Sequence, residues 1–158
     1  MDINEIKTKY CDILSSNEII SFLGHRVLFF NSAIEHAFYL CPKNCPGFVH
    51  SNKSYKHCQK SKDNCANKIV SIERVNNMQL IKDVLTGNVE GRIEVYRDKK
   101  GETKSDYIYI YAVGPPYFLI VCYPIRKGKQ YAFKTAHNIS EKKYRQNICS
   151  LDLFDFKN

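Results

Sequence analysis

Apolar residues recur through the first fifteen positions with the spacing of one helix face: Ile3, Ile6, Tyr10, Ile13 and Leu14. That pattern predicts an amphipathic helix over residues 2–15. Asn17 is placed to cap a second short helix through Leu23, stopped at Gly24. The segment Arg26–Phe30, apolar from Val27 onward, predicts a strand. Asn31 or Ser32 then caps a helix that carries His36 and ends before Pro42. Residues 41–66 lose apolar periodicity and read as an inserted loop. Periodicity returns over 67–85, where Ile69, Ile72, Val75, Leu80, Ile81 and Val84 mark a long helix and Gly87 its stop. Four strands follow, at 92–97, 106–113, 117–124 and 130–135. Their links begin at Asp98, Gly114 and Arg126 and are rich in Gly, Pro and Lys, which is turn chemistry. Tyr107, Tyr109 and Tyr111 alternate with Ile108 and Ile110, so one sheet face is aromatic and the other aliphatic. Ser140 caps a short helix to about residue 148. The end, 150–158, is a last strand or a docking tail.

Short links between strands require antiparallel pairing. The pattern therefore predicts an α+β fold: N-terminal helices packed on one face of a four-stranded antiparallel meander sheet, with a Cys-rich inserted loop. The other sheet face stays free for a ligand. A chain of 158 residues fits one domain, 1–158, and no repeat is visible.

Charge changes the picture. The chain carries a formal +8. Residues 126–145 hold seven Lys and Arg against one acid, which accounts for six of those eight charges. Clustered cations predict a polyanionic partner, RNA above all, or an acidic protein such as an antitoxin. No stretch has the run of about 20 apolar residues that spans a bilayer. The charged start, MDINEIKTKYCDILSS, does not read as a secretory signal. A cytoplasmic protein without a membrane partner is expected, with reduced thiols. Phosphate-binding glycine loops, His-Glu-x-x-His and Gly-x-Ser-x-Gly are missing, which disfavours P-loop, zincin and α/β-hydrolase chemistry.

RNA cleavage without a metal needs a base for the 2′-OH, an acid for the leaving 5′-oxygen and cations for the charged phosphate. His137, Lys134 and Thr135 cluster at the end of a predicted strand. Arg74 lies on the long helix and His36 on the helix after the first strand. Convergence of these five would make a phosphodiester site. The competing reading is that His137 and Thr135 merely cap a strand end. Arg126, Lys127, Lys129, Lys142, Lys143 and Arg145 are the accompanying backbone-binding cations, with Tyr131 and Tyr144 as stacking residues among them. The Tyr107–Tyr111 row reads as cross-strand packing.

Three stretches carry a family resemblance: VLFFNSAIEHAF, SIERVNNMQLIKDVLTG and YFLIVCYPIRKGKQYAFKTAHNI. Over about residues 27–148 the chain resembles the phage-associated branch of the barnase/EndoU/colicin/RelE-like nuclease superfamily. The resemblance implies a small α+β endoribonuclease-like protein, toxin-like or encoded by a phage or mobile element. Such a protein cleaves RNA without a metal and leaves a 2′,3′-cyclic phosphate. It implies His36, Arg74, Lys134, Thr135 and His137 as site residues. The alternative is a non-catalytic basic module, a nucleic-acid-binding accessory or a phage-encoded inhibitor.

Cys41, Cys45, Cys58 and Cys65 fall in the inserted loop with His50 and His57. Four thiols suit a tetrahedral structural zinc site, although neither pair has Cys-x2-Cys spacing. Free thiols in a loop are the other reading.

Overall fold

A computed structural model describes residues 1–16, 20–40, 68–99, 106–125 and 130–154, with the backbone of 48–49 and 57–58. The first helix, α1 (Ile3–Ile13), starts at a capping box. Asp2 accepts from the Glu5 N–H at 2.9 Å, and the Asp2 N–H reaches back to Glu5 Oε2. Ile6, Tyr10 and Leu14, each one turn apart, are its buried face.

The expected second helix through Leu23 is replaced by a hairpin of β1 (Ser21–Phe22) and β2 (His25–Leu28). Leu23 and Gly24 form its two-residue turn, with φ of 51° and 81°. Positive φ at both central residues is what such a turn demands, so Gly24 serves a hairpin rather than a helix stop. Leu23 holds that conformation against its Cβ. Leu23→Asn is expected to raise stability by about 0.5–1 kcal/mol. Urea denaturation checks this; a drop would mean that contacts of Leu23 outweigh its strain.

Next come α2 (Ala33–Phe38) and the short strands β3 (Tyr39–Leu40), β4 (Phe48–Val49), β5 (His57–Cys58) and β6 (Ile69–Val70). Pairing of β3 with β6, and of β4 with β5, makes two small antiparallel ladders. The long helix expected over 67–85 is divided. Residues 69–70 stay extended in β6, and Ser71 accepts from the Arg74 N–H to start α3 (Ile72–Asn76). Asn77 then separates it from α4 (Met78–Leu85). The end of α4 is a Schellman closure at Gly87: its N–H reaches the Val84 carbonyl and the Asn88 N–H the Asp83 carbonyl.

The remaining elements are β7 (Arg92–Asp98), β8 (Ile108–Val113), β9 (Phe118–Ile125), β10 (Gln130–Asn138), α5 (Glu141–Ile148) and β11 (Leu151–Leu153). Strands β7 to β10 pair in sequence, antiparallel. They do not form the whole sheet. The sheet has seven strands in the order β1-β2-β10-β9-β8-β7-β11 and is mixed, because β2 runs parallel to β10. This corrects the expected four-stranded antiparallel meander. About a hundred residues separate β2 from β10, so no tight turn dictates their direction, and a parallel pair is allowed. At the far edge the tail residues of β11 pair antiparallel with β7.

The aliphatic face carries the main core, formed with α1 to α4. Tyr10, Phe29, Phe38 and Phe133 make its aromatic centre, with centroids 5.2–6.3 Å apart. The Tyr10 hydroxyl donates to the Phe30 carbonyl at 2.8 Å, which satisfies it inside that core. The aromatic face is not left free. Tyr144 and Ile148 of α5 pack on Tyr111 and Leu119.

Candidate functional site

Strand β2 covers β10 only as far as Leu28 opposite Ala132. Beyond that point β10 continues to Asn138, and α2 packs against it instead of a strand. Phe38 of α2 stacks on Phe133 at 6.3 Å and anchors the helix there. At this junction the register of β10 slips: Phe133 faces Cys122, but Thr135 faces Val121. Lys134 is therefore the extra residue of a β-bulge, and a bulge re-aims the side chain it inserts.

That side chain enters a cleft of about 230 Å³. His36, Ser32 and Ala33 line it from α2 and its start, Phe133 and Lys134 from β10, and Tyr107 and Tyr123 from the central strands. Lys134 Nζ donates to the Tyr107 hydroxyl at 2.8 Å and lies 4.2 Å from its ring centroid. Cation and phenol thus hold each other in place. A half-buried imidazole stands at the same cleft, contributed from 98 positions earlier in the chain.

Two further links to α2 are structural. The Arg74 guanidinium donates to the Ala37 carbonyl at 3.2 Å, and Lys68 pairs with Glu35. Arg74 binds beside His36 in sequence but does not line the cleft; it fixes the helix that presents His36. Thr135 and His137 do not line the cleft either. Their cross-strand partners, Val121 and Leu119, belong to the same aromatic-side cluster that Tyr107 packs against, but lie farther along the sheet from the bulge. His137 Nδ1 lies 2.9 Å from the Asn138 carbonyl oxygen, and the Asn138 side-chain amide donates to Glu73. Of the five residues expected to converge, the structure brings His36 and Lys134 together. Arg74 supports them from behind, and Thr135 and His137 lie outside the cleft.

The expected nucleic-acid-binding residues divide similarly. Tyr131 is buried on the aliphatic side, edge-on to His25 at 5.4 Å. Tyr144 is buried under α5. Neither ring offers a face to a base. Lys142 and Arg145 are exposed on α5, and Arg145 donates to Glu141 one turn back, at 2.8 Å. Lys143 is half-buried on the same helix. Arg126, Lys127 and Lys129 belong to the link between β9 and β10 and lie outside the described residues. So do Cys41, Cys45 and Cys65; Cys58 is described only through its backbone in β5. Tyr107, which the sequence pattern assigns to packing, lines the cleft together with Tyr123. Extending the Ile108–Cys122 pair by one position sets them opposite each other, so the meander itself held that signal.

No family model matches the chain, and no curated protein or solved structure matches it. The functional argument therefore rests on the residues.

A second polar cluster lies across the aromatic face. Glu94 accepts from Tyr96 at 3.0 Å, from Arg92 at 3.0 Å and from Tyr144. Burial pulls the Glu94 carboxyl upward, but bonds from Tyr144, Arg92 and Tyr96 prevail and hold it below its ordinary range. Burial first, and the carboxylate second, push the Tyr96 and Tyr144 phenols up. Burial likewise raises Tyr10 and, with Asp98 beside it, Tyr109. A depressed carboxyl stabilises the fold above the ordinary carboxylate pKa, and that contribution disappears as acid titrates the folded form. A raised phenol stabilises the fold up to its ordinary value and loses the contribution as pH climbs further. Stability is expected to fall above about pH 10, with the tyrosinate absorbance of Tyr10, Tyr96, Tyr109 and Tyr144 appearing together with loss of structure. Complete ionisation of these four in a protein that stays folded would contradict this.

Proposed function

We propose that this protein is a metal-independent endoribonuclease-like, RNA-binding protein of toxin or phage/mobile-element type. Its site is the cleft at the Lys134 bulge. One observation carries the reading: a histidine and a lysine from distant parts of the chain line one cleft, together with a lysine-bound phenol. His36 accepts the 2′-OH proton, the 2′-oxygen attacks phosphorus as the P–O5′ bond breaks, and the leaving 5′-oxygen takes a proton from solvent water at the open side of the cleft; His36 then returns its proton to solvent. Lys134 lies where it can hold charge building on the phosphate. The Tyr107 hydroxyl accepts from Lys134 and keeps its own proton for a phosphate oxygen. The products are a 2′,3′-cyclic phosphate and a 5′-hydroxyl.

The +8 charge supports a polyanionic partner and would also attract an acidic antitoxin. Among the described residues no helix is long and apolar enough to cross a membrane; action on RNA in the cytoplasm is part of the proposal. The test is incubation of purified protein with total RNA and tRNA, with and without chelator. Cleavage in chelator supports the reading. RNA that stays intact under both conditions refutes it, and tight, steeply salt-dependent binding without turnover would then favour the non-catalytic module.

A further inference from the structure

The cleft has an aromatic wall whose ring faces the phosphate chemistry does not use. Tyr107 and Tyr123 stand across it with ring centroids 6.4 Å apart and planes tilted by 59°. Both are half-exposed, unlike Tyr10, Tyr111, Tyr131 and Tyr144, which are buried. Tyr107 is held by Lys134 through its hydroxyl, so its ring is already fixed before any ligand arrives. The tilt excludes a parallel sandwich. It leaves an open V in which a flat ring stacked on one tyrosine meets the other edge to face, both favourable arrangements. Lys134 Nζ lies 2.8 Å from the Tyr107 hydroxyl and 4.2 Å from its ring centroid, so the cation stands beside this wall, where it can meet a phosphate attached to a stacked base.

We infer that Tyr123, with Tyr107, forms a base-stacking subsite beside Lys134, and that the substrate is single-stranded RNA with one unpaired base seated on this wall. The inference rests on the endoribonuclease reading and narrows it. A duplex keeps its bases stacked on one another and has none to place against a protein ring. A cleft of about 230 Å³ is below the usual range for ligand pockets, about 300–1,000 Å³, and suits a single base rather than several. Stacking on a tyrosine ring tolerates any base, so a preference for unpaired structure over particular sequence follows.

The chain contains no Trp, so its intrinsic fluorescence comes from tyrosine and reports directly on stacking. The experiment titrates the full chain with three ligands made uncleavable by 2′-O-methylation: a single-stranded hexamer, the same hexamer as a duplex, and an abasic hexamer with the same phosphates. Stacking of one base contributes about 1–3 kcal/mol, so the single strand should bind roughly tenfold or more tighter than the abasic strand and quench tyrosine emission. Tyr123→Leu should erase most of that preference while keeping the abasic affinity. Tyr123→Phe, which retains the ring, should keep the preference and shows that any loss in the Leu variant is not unfolding. Equal affinity of the wild-type protein for hexamer and abasic strand, while total RNA is still cleaved, overturns the stacking subsite and leaves the nuclease reading standing. A Tyr123→Leu variant that keeps the full preference overturns it as well. Failure to bind any of the three, with total RNA intact, overturns both.

Discussion

Replacing His36 with Ala is expected to slow RNA cleavage by about 10²–10⁴-fold, the usual contribution of a positioned proton-transfer group. The far-ultraviolet dichroism should stay that of the wild-type protein. His36 is only half-buried, and α2 is held without it: Phe38 stacks on Phe133, Arg74 binds the Ala37 carbonyl, and Lys68 pairs with Glu35. The paired control is His137→Ala. That ring lies against the backbone carbonyl of Asn138, outside the cleft, and its loss should leave cleavage close to wild-type. The two histidines thus separate two accounts of the same chain. A large loss in the His137 variant, with the His36 variant unaffected, would place the chemistry near the C-terminal end of β10 rather than at the bulge cleft.

The largest expected effect on stability comes from Phe38→Ala. This side chain has no exposed surface, stacks on Phe133 at 6.3 Å and meets Tyr10 edge-on at 6.0 Å. Emptying such a site costs about 3–5 kcal/mol, the lost transfer energy plus the cavity left behind. Domains of this size have a total stability of about 5–15 kcal/mol, so the variant should retain little margin. Urea unfolding of wild-type and variant measures the difference. The position also joins fold to site: Phe38 is two residues from His36, and its ring is what presses α2 onto β10 beyond the end of β2. Cleavage should therefore fall under conditions where the variant remains folded. A cost below about 1 kcal/mol would show that the core closes over the gap.

Local physics was legible wherever one residue decided the outcome. Ser140 and Gly87 each mark an element end from sequence alone, and each makes the bonds that its chemistry allows. The alternation of Tyr and Ile through 107–111 likewise separates two faces that carry two distinct cores. Legibility ended where pairing partners decided. Residues 69–70 have a helix-compatible pattern but are held extended by β3. Leu23 adopts a left-handed conformation that its own side chain disfavours, because the hairpin requires it. Nothing near residues 26–30 indicates that they will lie parallel to a strand a hundred positions later.

The site divides along the same line. Lys134, Thr135 and His137 look like one group because they are neighbours in sequence. Only Lys134 lines the cleft; Thr135 and His137 lie farther along β10, opposite Val121 and Leu119, and the bulge that singles out Lys134 exists only relative to β9. His36 and Tyr107, by contrast, reach Lys134 only through the fold.

The central claim is that the bulge cleft carries out 2′-OH transesterification with the chain's own side chains. The most direct measurement is mass spectrometry of the ends formed when purified protein acts on a single-stranded RNA in excess chelator. The account predicts fragments ending in 2′,3′-cyclic phosphate and beginning with 5′-hydroxyl, absent from a parallel reaction with the His36→Ala protein. Fragments with 3′-hydroxyl and 5′-phosphate ends, or RNA left whole by the wild-type protein, would contradict it.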